Sequence, residues 1–146
     1  MPLPLYDAHN HLHDAWLAPF WQKISTQLPA LGVRRAIVNG TAEADWPQVL
    51  ALAHAHPDWI TPGLGLHPWH AGNRTPNWLA TLTSFLDATP AAVIGEIGLD
   101  RWMLDRARPD DPRLHGLRRA PLEEQLDVFH AQLALAAARN LPATIH

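Results

Sequence analysis

AAVIGEIGLD, residues 91–100, is an apolar run with one glutamate, Glu96, set between Gly95 and Ile97. A run apolar on both faces marks a strand covered on both sides, as in parallel sheets, and RAIVNG (35–40) and LPATIH (141–146) carry the same kind of run. LYDAHN (5–10) and WITPGLGLHP (59–68) complete a set of five strand-like segments. Helical spacing fills the intervals. Trp16, Leu17, Phe20, Trp21, Ile24 and Leu28 share one face, at the period expected of an amphipathic helix. A second helix is predicted from about Trp46 to Ala55. Thr75 as N-cap and Pro76 at the first helical position open a third, ending near Asp87. Pro121, Glu123 and Glu124 start a fourth, with Leu126, Phe129, Leu133 and Ala137 as its buried stripe. Residues 101–121 are charged and proline-bearing without a clear period, and read as a long surface loop.

Strands and helices in strict alternation imply right-handed βαβ units and a parallel sheet. A doubly wound sheet and a TIM (β/α)8 barrel both satisfy that pattern. Neither G-x-G-x-x-G nor G-x-x-x-x-G-K-[ST] follows a strand, so the nucleotide-binding versions lose support. A closed barrel needs eight βα units and ~250 residues. If the fold is a barrel, 146 residues and five strands make residues 1–146 a single domain holding its first half or slightly more. The first and fifth strands would then be open edges, through which copies could associate.

Composition narrows the function. A hydrophobic share of 47% suits a packed core. Cysteine is absent, so a metal would have to be held by nitrogen and oxygen. The formal net charge of −3 argues against a broad basic track along a nucleic-acid backbone. No stretch approaches the ~20 apolar residues of a membrane span, and MPLPLYDAHN lacks a signal peptide's basic start and apolar run. A cytoplasmic protein with no membrane partner is the expectation.

Residues two apart in a strand point to the same side, so His9 and His11 of YDAHNHLH project together from the end of the first strand. That arrangement offers two imidazoles to one ion. His13 lies past the strand and reads as a loop residue. His54 and His56 diverge by ~200° on a helix and suit its carboxyl terminus, where histidine meets the dipole favourably. His67 follows the third strand, Glu96 and Asp100 mark the fourth, and His146 ends the fifth. Four of the five strands thus bring a histidine or carboxylate to the carboxyl edge, where parallel α/β folds build their sites. A glutamate buried unpaired costs several kcal/mol, and a cation beside Glu96 removes that cost.

YDAHNH, GLHPWH, GEIGLDRW and EEQLDVFHAQLALAAARNLPATIH resemble the successive motifs of the TatD-like metal-dependent hydrolases, a branch of the amidohydrolase-type TIM barrels. The likeness runs from residue 6 to residue 146. GEIGLD with the helix carrying Gln125, Phe129, Gln132, Leu133, Leu135 and Ala136 is its specific part, whereas D-x-H-x-H is shared with other families. The resemblance implies a barrel and two divalent ions, Zn, Mn or Mg. In it His9 and His11 bind one ion, Glu96 bridges or binds both, and His146 binds the second. His67 would contact the substrate phosphate, Asp100 would have a pocket role, and Asp7 would support the ligand strand from behind. Relatives supply a further histidine and a late aspartate from strands beyond His146. The stretch between Asp100 and Gln125 is longer than usual, and Arg101-Trp102 stands where many relatives carry two aromatic residues.

The reaction implied for the full-length protein, though not for residues 1–146 by themselves, is hydrolysis of a phosphoester, deoxyribonuclease-like, on DNA or a small phosphoester, with water activated between two metal ions. An amide or lactone as the scissile bond is the alternative, slightly favoured by the low positive charge. A third reading is an inactive half-barrel that binds an ion weakly or self-associates. Among seven tryptophans, Trp16, Trp21 and Trp78 fall on helical stripes and read as core, while Trp69 or Trp102 is expected to line the site.

Overall fold

The computed structural model describes residues 3–146. Strands β1 (Leu5–Asn10), β2 (Val33–Asn39), β3 (Ile60–Leu64), β4 (Val93–Ile97) and β5 (Ala143–Ile145) form one sheet. Every pairing is parallel, and the strands lie side by side in chain order. That order separates the two architectures left open by alternation. A doubly wound sheet reverses its strand order at a switch point, whereas a barrel sets each strand beside its predecessor. The chain is five strands of a TIM-type barrel.

Helices α1 (Trp21–Ala30), α2 (Trp46–Ala55), α3 (Trp78–Ala88), α4 (Trp102–Asp105) and α5 (Leu122–Arg139) fill the connections. The core joins Ala36 and Val38 of β2, Leu64 of β3 and Ile94 and Ile97 of β4 to Val49 of α2 and Leu82 of α3, all fully buried. Each large aliphatic side chain so placed contributes about 1.5–3 kcal/mol. Trp46 is also fully buried, and its indole N–H is satisfied by the carbonyl of Gly65 at 2.9 Å.

Several expectations about the elements need correction. Residues 15–20 form a 3-10 helix carrying Pro19, and α1 begins only at Trp21. Proline removes a backbone donor and disfavours a continuous α-helix, and the change to three residues per turn breaks the stripe's phase. Trp16 is therefore 69% exposed and is not core, while Trp21 stacks on Trp59 and Trp78 is buried. Thr75 does not cap α3: its N–H and hydroxyl both donate to the Glu43 carboxylate, and the helix starts three residues later at Trp78.

On α5 the buried line is Gln125, Val128, Gln132 and Ala136, one position before the expected stripe. Leu126, Phe129 and Leu133 are half-buried beside it, and Ala137 is exposed. Residues 101–121 are more than a surface loop, because α4 and a 3-10 turn at 112–114 bury Met103 and Leu114. The double-sided cover expected of the apolar strands holds for β2 and β4 but not for β5, whose Ile145 is 56% exposed. β5 has only β4 as a neighbour.

A candidate metal centre at the carboxyl edge

Glu96 is the hub. It sits at the carboxyl end of β4, 7% exposed, with each carboxylate oxygen turned to a different set of imidazoles. Oε2 lies 3.4 Å from His9 Nε2 and 3.3 Å from His11 Nε2. Oε1 lies 2.8 Å from His146 Nδ1 and 3.7 Å from His67 Nε2. His9, His11 and Glu96 thus make one set of converging donors, and His67, Glu96 and His146 another. β1 and β5 sit at opposite ends of the sheet, and the inward side of β4 is where their histidines meet.

Hydrogen bonds fix which ring nitrogens face the hub. His11 Nδ1–H donates to the Asn39 carbonyl at 2.8 Å, which turns Nε2 toward Glu96. Such backing by a carbonyl orients a ligating histidine. At His67 the bond runs the other way: the Trp69 N–H donates to Nδ1 at 3.1 Å, so the proton of the neutral ring is on Nε2. His67 therefore offers its neighbours a donor. That N–H points at His146 Nδ1, 3.0 Å away, while His146 Nε2–H donates to Asp100 Oδ2 at 3.3 Å. His146 Nδ1 and Glu96 Oε1 are then two acceptors at close range, an arrangement that a cation relieves.

Titration behaviour agrees with that picture. Burial, the largest influence, pushes the Glu96 pKa up, but the imidazoles gathered around it, His11 and His146 first and then His67 and His9, bring it down to about 2. Its carboxylate is ionised at any ordinary pH. Burial pushes His67 down to about 3 and keeps it neutral. His11 is raised, chiefly by its hydrogen bond to Glu96. Asp100, 7% exposed, stays below the usual carboxylate range although burial opposes this, because Trp69, Met103 and His146 all donate to it.

The donor set fits a divalent ion. Two ligand atoms about 2.0–2.2 Å from one tetrahedral ion lie roughly 3.3–3.5 Å apart, and the His9–Glu96 and His11–Glu96 separations are 3.4 and 3.3 Å. Beside the hub is a cavity of about 350 Å³ lined by His11, Thr41, His67, Trp69, Glu96 and His146 among others. A larger hollow of about 470 Å³, between Trp21 and α2, is mostly apolar and carries none of the Glu96 cluster.

The family model described as TatD related DNase matches residues 6–146. The chain belongs to this TatD family. A 3'-5' ssDNA/RNA exonuclease TatD of Erwinia tasmaniensis is 31% identical over 97% of this chain, and an uncharacterized metal-dependent hydrolase of Haemophilus influenzae is also 31% identical over 97%. The chain spans about half the length of these curated relatives, 49% and 52%. The crystal structure of YjjV, a TatD homologue of Escherichia coli, superposes with a TM-score of 0.75 at 30% identity, covering 97% of this chain and 50% of that one. A TatD family hydrolase from Entamoeba histolytica gives 0.77 at 17% identity, covering 100% and 50%, a likeness of fold.

Within this TatD-family chain the residues singled out from the sequence do come together. His9, His11, Glu96, His67 and His146 converge, and Asp100 and Trp69 stand beside them, joined by a bond from the indole N–H to Oδ2. Trp102 packs on Trp69 one step further out. Asp7 accepts the His9 backbone N–H and the Asn10 amide, both at 3.0 Å, so it braces the irregular end of β1 rather than an imidazole. His54 is exposed and His56 packs against Trp21 and Trp59, outside the cluster.

Other contributors were not assigned from sequence. His13, read as a loop residue, has a side chain only 5% exposed and pairs with Asp45 at 3.5 Å. Gln132 accepts the Leu66 N–H at 2.7 Å and donates to the Leu66 carbonyl at 3.1 Å, immediately before His67. Gln125 accepts the Asp100 N–H at 2.7 Å and donates to the Asp100 and Ala120 carbonyls. The available signal was two glutamines seven apart on one helix face, in phase with Val128.

Proposed function

We propose that the Glu96 cluster is a two-metal hydrolytic centre for phosphoester bonds, of deoxyribonuclease type, in a cytoplasmic enzyme. The observation that carries this reading is one buried carboxylate whose two oxygens each face separate imidazoles. His9 and His11 would hold one ion, His146 the second, and Glu96 both. Nitrogen and oxygen donors suit Zn, Mn or Mg. Such a pair of ions supplies a water of lowered pKa and neutralises charge on the phosphoryl group.

The other residues have roles that follow from their bonds. His67, neutral and with its proton on Nε2, would donate to a phosphate oxygen. Asp100 would hold His146 by its Nε2–H and Trp69 by its indole, fixing one ligand and one wall of the cavity together. The relatives named as single-stranded DNA and RNA exonucleases favour nucleic acid as substrate. No helix among the described residues is long and apolar enough to cross a membrane.

The test is metal content with activity. Elemental analysis after dialysis against Mn should give two ions per chain, falling to one or none in Glu96→Gln and to one in His9→Ala. Divalent-dependent cleavage of a phosphodiester should fall at least 100-fold in both variants. Turnover indifferent to EDTA and to His9→Ala would sink the reading, and turnover of amides or lactones alone would transfer it to a C–N or lactone hydrolase.

A further inference from the structure

A row of flat groups leads outward from the metal cluster. The rings of His67 and Trp69 have centroids 5.5 Å apart, those of Trp69 and Trp102 are 5.9 Å apart and inclined by 31°, and the Arg113 guanidinium lies 4.3 Å above the Trp102 ring. Each step is held by a polar bond or a buried anchor. Trp69 is pinned through its indole to Asp100, and Met103, next to Trp102, is fully buried. Arg113 is fixed by Asp111, whose oxygens take its Nε–H at 2.9 Å and a terminal N–H at 2.8 Å, while Leu114 beside it is buried.

The in-plane edge of Arg113 is therefore occupied by a carboxylate, yet its side chain is 60% exposed. What it still offers a ligand is the face of a guanidinium plane, on which unpaired bases stack. The surroundings suit a polyanion. Six of the eleven basic residues, Arg101, Arg106, Arg108, Arg113, Arg118 and Arg119, fall in 101–119 against the acids Asp105, Asp110 and Asp111, although the chain as a whole has a net charge of −3.

We propose that the open face of the Arg113 guanidinium, carried on Trp102 and backed by Trp69, is a stacking wall for the unpaired bases of a single-stranded nucleic acid. The inference rests on the phosphoester reading of the Glu96 cluster, where the strand's scissile phosphate would lie. A duplex keeps its bases stacked inside and cannot use such a wall. A small phosphoester without a base would gain nothing from it.

Binding is measured by anisotropy with a labelled phosphorothioate oligothymidylate in Mn buffer, which separates it from cleavage. Base stacking is worth about 1–3 kcal/mol per base, so Trp102→Ala and Arg113→Lys should each weaken binding roughly tenfold. Arg113→Lys keeps the charge and should leave the salt dependence unchanged. A strand with abasic sites should bind the wild-type protein as weakly as the variants bind the intact strand. Circular dichroism and thermal midpoints confirm that both variants fold.

A lysine variant that binds like the wild type, a wild type indifferent to abasic sites, or no binding of the oligomer would each overturn the wall. Cleavage of an ordinary oligothymidylate is followed separately. Base-dependent binding without metal-dependent cleavage would remove the phosphoester reading and leave the wall, and cleavage unaffected by either substitution would do the reverse.

Discussion

Asp45 shows how much one side chain can hold. Its carboxylate takes the N–H and hydroxyl of Thr41, the N–H of Ala42 and the pairing with His13, so it ties the segment after β2 to the loop that follows the ligand strand. Burial, the largest influence, pushes its pKa up, but His13 and Thr41 lead the bonds that bring it below its ordinary value of 3.8. A folded pKa below the unfolded one contributes stability that is full above about pH 4 and is lost as pH falls through the folded value. Asp45→Asn should cost about 1–3 kcal/mol at neutral pH. Urea midpoints of variant and wild type, compared at pH 7 and near pH 2, should converge at the acid end. His13 appeared from the sequence to be a bystander because its partner, 32 positions away in the chain, has no local signal.

Among the elements, α5 and β4 do most to shape the site. Gln132→Leu would leave the Leu66 N–H and C=O without partners inside the core. At about 1–3 kcal/mol for each stranded group, the expected loss is roughly 3 kcal/mol by chemical denaturation, with His67 loosened in the same variant. Gly95 is a second point of control. A Cβ there would stand 2.7 Å from the carbonyl carbon and 2.8 Å from the carbonyl oxygen of Gly63, so β3 and β4 could not keep their approach. Gly95→Ala should therefore cost about 3 kcal/mol or more, and its thermal midpoint reads this directly.

The elements were legible in the sequence where period and length were clear, as at α2, whose bounds Trp46–Ala55 match the expectation. They were misread where a polar residue took a core position. The expected stripe of α5 followed Leu126, Phe129 and Leu133, but Gln125 and Gln132 are the residues that point inward, because backbone amides wait there for them. Apolar periodicity cannot report a glutamine whose burial is compensated by a partner on another element.

At the scale of the molecule the open edges are the main feature. β1 and β5 each have one neighbour among the described residues, and Leu5, Tyr6 and Ile145 are more than half exposed along them. Unpaired strand edges with apolar side chains are templates for association. Residues 1–146 prepared alone should elute with a mass that rises with concentration. Leu5→Lys with Ile145→Lys should move the profile toward the monomer in size-exclusion chromatography with light scattering.

The amino-acid sequence by itself determined the alternation of strands and helices, the five strand positions to within a few residues, and the histidines and carboxylates at the strand ends. Those are local properties, set by side-chain period and by the turn chemistry that bounds each run. Strand order was a different matter, since alternation permits two windings: the family resemblance implied the barrel, and the sequential parallel pairing shows it. The assembly of the site belonged to tertiary structure as well. His9 and His146 stand at the two ends of the chain, and it is the inward-facing carboxylate of Glu96 on β4 that gathers both, one on each oxygen. YDAHNH and GEIGLD named the donors, and the folded sheet decided which donor faces which.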